Sequence, residues 1–177
     1  MAVRKVIKMG HPLLLQPAKI VENFNTPELD QLVNDMKDTM AELNGAGLAA
    51  PQIAVSQRVM IFGVAENPRY PDVEPVPETV LVNPEINILD NEKESAWEGC
   101  LSVPHMRGLV ARYKSISYRG YNEKGELIER EAHGFHARVV QHELDHLDGI
   151  LYPQRIEDMK YFGFEEELFE SVEEGNE

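Results

Sequence analysis

Apolar positions along this chain follow two periods, and each change of period marks a change of element. After Leu29 they recur at Leu32, Val33, Met36, Met40 and Leu43, the spacing of a helix that buries one stripe. Thr26, Pro27 and Glu28 supply its start: a capping hydroxyl, proline at the first helical position and an acid that suits the dipole. Asn44-Gly45 ends it, and the stripe reads as core packing. Residues 45–52, Gly-Ala-Gly-Leu-Ala-Ala-Pro-Gln, are small and proline-interrupted, which predicts a flexible connection.

Residues 58–64 and 79–88 read as strands, and 66–78 between them hold four prolines and no apolar period, as a surface loop would. Residues 115–121 and 126–133 flank Asn122-Glu123-Lys124-Gly125, a hairpin connection. A helix is predicted over 134–147, stopped by Gly149. Its apolar residues Phe135, Val139, Val140, Leu144 and Leu147 face more than one side, so protein should surround it. A last helix is expected over 156–172, with Met159, Phe162, Leu168 and Phe169 partly apolar, before a frayed acidic end at 173–177. Without repeats or a linker, residues 1–177 read as one α+β domain. Its antiparallel or mixed strands would wrap around the helix of 134–147.

Charge narrows the partners. A net charge of −14 argues against nucleic acid, because phosphate contacts need clustered Lys and Arg. No apolar run approaches the ~18 residues of a membrane span, and the first residues lack the apolar core of a signal peptide. With a single Cys no internal disulfide forms, which suits a reducing compartment; the expected location is cytoplasmic. Nothing demands more than a monomer.

Chemistry concentrates in Gln141-His142-Glu143-Leu144-Asp145-His146. Two His at i and i+4 share a helix face about 5–6 Å apart at Cβ, close enough to hold one metal ion. Glu143 stands beside that ion, placed to take a proton from its water. A catalytic centre of this kind needs a third protein ligand and an open position. No His follows His146, though Glu157 and Glu165 to Glu167 remain formal candidates. Upstream, Glu98-Gly99-Cys100-Leu101-Ser102 contains the only Cys, and a thiolate is a strong soft ligand. Taken alone, Cys100 reads as an inert small hydrophobe and His142 and His146 as hydrogen-bonded core residues; together each supplies what the other lacks.

Three motifs in order, 45–52, 98–102 and 141–149, make the chain resemble the peptide deformylases over about residues 5 to 155. The resemblance implies removal of the formyl group from the N-terminal formylmethionine of nascent bacterial proteins, with release of formate. It implies one divalent ion, natively Fe(II) with Zn(II), Ni(II) or Co(II) as substitutes, held by Cys100, His142 and His146. Glu143 would be the general base and acid. The backbone N–H of Leu101 and the side-chain amide of Gln52 would donate to the developing oxyanion.

Gly47 and Gly99 would let an extended peptide add alongside as a strand, or are ordinary turn glycines. Ala46, Phe135 and Val139 would wall a pocket for methionine, or simply pack. Glu98 and Arg107 would brace the Cys100 turn as a pair, unless both are solvated surface charges. His11, His105, His133 and His136 lack ligand spacing and read as structural. Some deformylases dock on the ribosome through a basic C-terminal helix; Glu165-Glu166-Glu167 and the acids after it would be repelled by RNA, which leaves only a transient encounter. A metallopeptidase and a structural metal module are the competing classes; the second would need a fourth ligand that the sequence does not offer.

Overall fold

The computed structural model describes residues 2–65 and 74–169. Helix α1 (Pro27–Glu42) begins as its sequence predicts: Thr26 accepts from the Leu29 N–H and Pro27 takes the first position. Strand β1 (Gly47–Ala49) then leads into a 3-10 turn over Ala50–Ile53. The expected flexible run is therefore ordered and buried: Leu48, Ala49 and Ala50 have no exposed surface. Small side chains here allow close packing.

Strands β2 (Val59–Val64) and β3 (Val76–Ile88) follow. Val76, Pro77 and Glu78 belong to β3, where pairing of Val76 with Val64 overrides the prolines; most of the remaining expected loop, 66–73, lies outside the described residues. Strands β4 (Lys93–Cys100) and β5 (Val103–Tyr113) form a hairpin with no counterpart among the predicted elements. β4 is polar and largely exposed, so no apolar alternation announces it, and pairing with β5 makes it a strand. β6 (Ser115–Tyr121) and β7 (Leu127–His133) form the predicted hairpin, and helix α2 (Gly134–Leu147) ends at Gly149, whose φ is +75°.

The expected helix over 156–172 does not form within the described residues. Met159–Tyr161 make a 3-10 turn, Phe162–Phe164 form β8, and only Glu165–Phe169 are helical, as α3. Gly163 and two aromatics suit a strand better than a helix, and the edge of β5 captures them: Met106 pairs with Phe164 and Gly108 with Phe162. The tail 173–177 lies outside the described residues.

Two antiparallel sheets result, in the orders β1-β2-β3-β6-β7 and β4-β5-β8. The larger one is buried on both faces at β1 and β2. Val59 and Ile61 of β2 join α1 through Leu29, Leu32, Val33 and Met36. Met60, Phe62 and Val64 turn the other way, to Val140 and Leu147 of α2. Covering both faces explains why β2 is apolar without alternation. Helix α2 also meets β5, β6 and β7, so the α+β architecture is strands around a central helix. No helix among the described residues is long and apolar enough to cross a membrane.

Candidate metal centre

Helix α2 and the end of β4 bring the two chemical motifs together. Ligand atoms of Cys100, His142 and His146 all lie within 4.8 Å of one another, and Cys100 Sγ is 3.4 Å from His146 Nε2. A soft thiolate and two imidazoles are a donor set for a divalent transition metal, and these three side chains converge without a fourth His, Cys, Asp or Glu in the group among the described residues. That pattern fits a centre with an open position. His142 Nδ1 is engaged by Glu98 Oε1 at 2.8 Å, which leaves its Nε2 to face the group.

One cavity collects most of the remaining predicted residues. Its lining includes Ala46, Gly47, Gln52, Gly99, Leu101 and Phe135, together with Val139, Cys100, His142 and Glu143. Glu143 is buried, and its Oε2 has no hydrogen-bond partner among the described residues. Burial is the largest influence on its carboxyl and raises its pKa to about 7. Gln52, at 1 % exposure, is no solvated loop residue. Its Oε1 accepts from the Ala49 N–H at 2.9 Å, while Nε2 points to Ser102 Oγ at 3.1 Å and Cys100 Sγ at 3.5 Å. The amide is thereby held with its NH₂ end toward the thiol.

Both glycines make room for side chains. A Cβ on Gly47 would collide with the Glu143 carboxylate, and one on Gly99 with the Arg107 guanidinium. Neither reading of Glu98 and Arg107 holds: Arg107 bonds Glu165 of α3 at 2.9 Å, and Glu98 is buried. Glu98 instead accepts from Arg112 (2.9 Å at each oxygen) and Arg138 (2.7 Å). The pairing across strands places Arg112 inside, where residue spacing gave no cue. Burial opposes ionisation of Glu98, but hydrogen bonds from His142 and Arg112 hold it well below the usual carboxylate range. Burial likewise opposes charge on His142, yet hydrogen bonds with Cys100 and Glu98 raise it well above the ordinary value. His146 is lowered well below it, by burial first and then by His142 and Arg112.

The buried network Arg112, Arg138 and Asp145, and Trp97 at the cavity wall, were not among the predicted site residues. Arg138 had a usable signal: it precedes His142 by four residues, so it shares the ligand face of α2. The four other His stay outside the metal group. His11 caps a 3-10 turn by accepting from the Leu13 N–H, and His136 bonds the Tyr118 hydroxyl.

The sequence profile of the family described as polypeptide deformylase matches residues 3–161. Peptide deformylase 1 of Nitrosomonas europaea is 60% identical over 167 residues, covering 94% of this chain and 95% of that protein. Peptide deformylase 1 of Bordetella pertussis is 56% identical over 171 residues, 97% of each. Among solved structures, the class I type b peptide deformylase of Acinetobacter baumannii bound to Met-Ala-Ser superimposes with a TM-score of 0.84 at 44% identity, covering 88% of this chain and 99% of that one.

Proposed function

Taking as premise that the chain belongs to the polypeptide deformylase family, we propose that it removes the formyl group from N-formylmethionyl nascent peptides at this centre. The observation that carries the reading is the convergence of Cys100, His142 and His146 beside a buried Glu143 whose Oε2 has no partner among the described residues. The ion is Fe(II), with Zn(II), Ni(II) or Co(II) able to replace it. When bound, such an ion polarises the formyl oxygen and makes water nucleophilic near neutral pH.

The chain's own groups do the rest. Glu143 accepts the proton of the attacking water and delivers it to the departing amine nitrogen, and dry surroundings make that transfer effective. Water adds to the formyl carbon, the C–N bond breaks, and formate and a free amino terminus leave. Gln52 Nε2, already locked toward Cys100, donates to the oxygen on which charge develops, and the Leu101 N–H does so beside it. The methionine side chain lies against Ala46, Phe135 and Val139, and the peptide backbone runs past Gly47 and Gly99. The Met-Ala-Ser peptide held by the Acinetobacter baumannii relative supports this choice of substrate. The enzyme acts as a cytoplasmic monomer that meets the ribosome only transiently, since Glu165 to Glu167 repel RNA.

The test is formate release from formyl-Met-Ala-Ser by protein purified without oxygen. Stoichiometric formate and intact Met-Ala-Ser are expected. New fragments from an unformylated peptide, or no formate from metal-loaded protein, would overturn the proposal.

A further inference from the structure

Glu98 orients His142, and each of its two oxygens accepts two hydrogen bonds. Oε1 accepts from His142 Nδ1 and Arg112 Nη2; Oε2 accepts from Arg112 Nε and Arg138 Nη1. Arg112 is divided between two acids, because its Nη1 donates to Asp145 at 2.6 Å, and Asp145 is also held by Arg155. Arg138 is committed to Glu98 alone among carboxylates: its other bonds go to the carbonyls of Val110 and Glu94. It stands one turn before His142 on α2, so a single carboxylate on β4 bridges both residues. Arg138 and Glu98 both also line the cavity beside the metal group, and the guanidinium meets Glu98 there.

We propose that Arg138 is a positioning residue of the metal centre: by holding Glu98 Oε2 it fixes the carboxylate that sets the orientation and donor strength of His142. A carboxylate shared by two guanidiniums is a weaker acceptor for the imidazole N–H than one held by a single guanidinium. His142 then pushes less electron density toward the ion, which stays a stronger electrophile. Removing the guanidinium also strips a donor from the buried Val110 carbonyl and one from the part-buried Glu94 carbonyl, a structural cost that by itself would not alter the ion's electronic environment.

Only the kinetic arm of the test rests on the deformylase reading. Full-length wild type, Arg138→Met and Arg138→Gln are loaded with Co(II) and compared by visible absorption and by formyl-Met-Ala-Ser turnover. Arg138→Met keeps the stem, so the Co(II) bands should shift and kcat should fall roughly 10–100-fold with KM within about twofold. Arg138→Gln should shift the bands in the same direction, and it carries the test should the Met variant fail to fold. Bands and kcat like those of wild type, whatever the change in melting temperature, would overturn the proposal. So would a change confined to KM, which would make Arg138 a wall residue only. A wild type that binds cobalt but releases no formate would sink the deformylase reading and leave the spectra to decide this one.

Discussion

Helices α1 and α2 pack on opposite faces of one sheet and solve opposite problems. α1 buries a single apolar stripe, Leu29, Leu32, Val33 and Met36, and turns most of its charges to water. α2 buries Arg138, Gln141, Glu143, Asp145 and His146 among its apolar residues. Each buried polar group on α2 carries a desolvation cost, so nearly all are tied to partners: Gln141 bonds the backbone of Tyr113 on both sides, and Asp145 takes two arginines. The exceptions are informative. Among the described residues Glu143 Oε2 and His146 Nδ1 have no hydrogen-bond partner, and both residues belong to the proposed reaction centre. One helix spends its burial on stability, and the other leaves the Glu143 carboxylate unsatisfied where chemistry needs it.

That contrast breaks first at Glu143. Replacing it with Gln keeps the shape and removes the base, so formate release should fall about 10²–10⁴-fold; turnover near wild type would refute its role. Gln52→Leu should follow, with kcat down about 10²–10³-fold for the loss of one oxyanion donor. Circular dichroism should remain native, and an unchanged kcat would return Gln52 to packing alone.

On the other face the effects move from turnover to stability. Met36→Ala opens a cavity under α1 and should cost about 2–5 kcal/mol in urea unfolding, while activity per folded molecule stays constant. A loss of kcat there would mean that the two faces are coupled. Acid should separate them more finely. Glu98 is depressed below its ordinary value of 4.5, so its contribution is complete above that pH and is lost as pH falls below it. Metal-free protein should therefore destabilise progressively below about pH 4.5, and Glu98→Gln should flatten that limb; a limb of unchanged steepness would count against Glu98. Smallest is Thr26→Ala, which removes the α1 cap for about 1 kcal/mol and should leave turnover untouched.

Much of the reaction centre was legible because it is locally encoded. A His pair at i and i+4 shares a helix face wherever that helix packs, and Cys100 was the one soft ligand on offer. α1 was legible for the same reason, since cap, proline and stripe act within a few residues. The partners of Glu98 were not. Arg107 was the nearest cation downstream in sequence, yet Trp97 pairs with Leu109 and Glu98 with Gly108, and that register sends Arg107 to Glu165. The arginines that do hold Glu98 arrive from β5 and from α2.

The sequence by itself determined where α1 and α2 start and stop, which residues are candidates to hold an ion, and which carboxylate stands beside them. Those depend on hydrogen bonds and spacings a few residues long. Only the tertiary structure decided that β4 is a strand at all, that Phe162–Phe164 pair with β5 instead of continuing a helix, and that two arginines close on Glu98. Each is a choice between partners far apart in the chain, made by which edge and which buried charge remain unsatisfied when the elements meet.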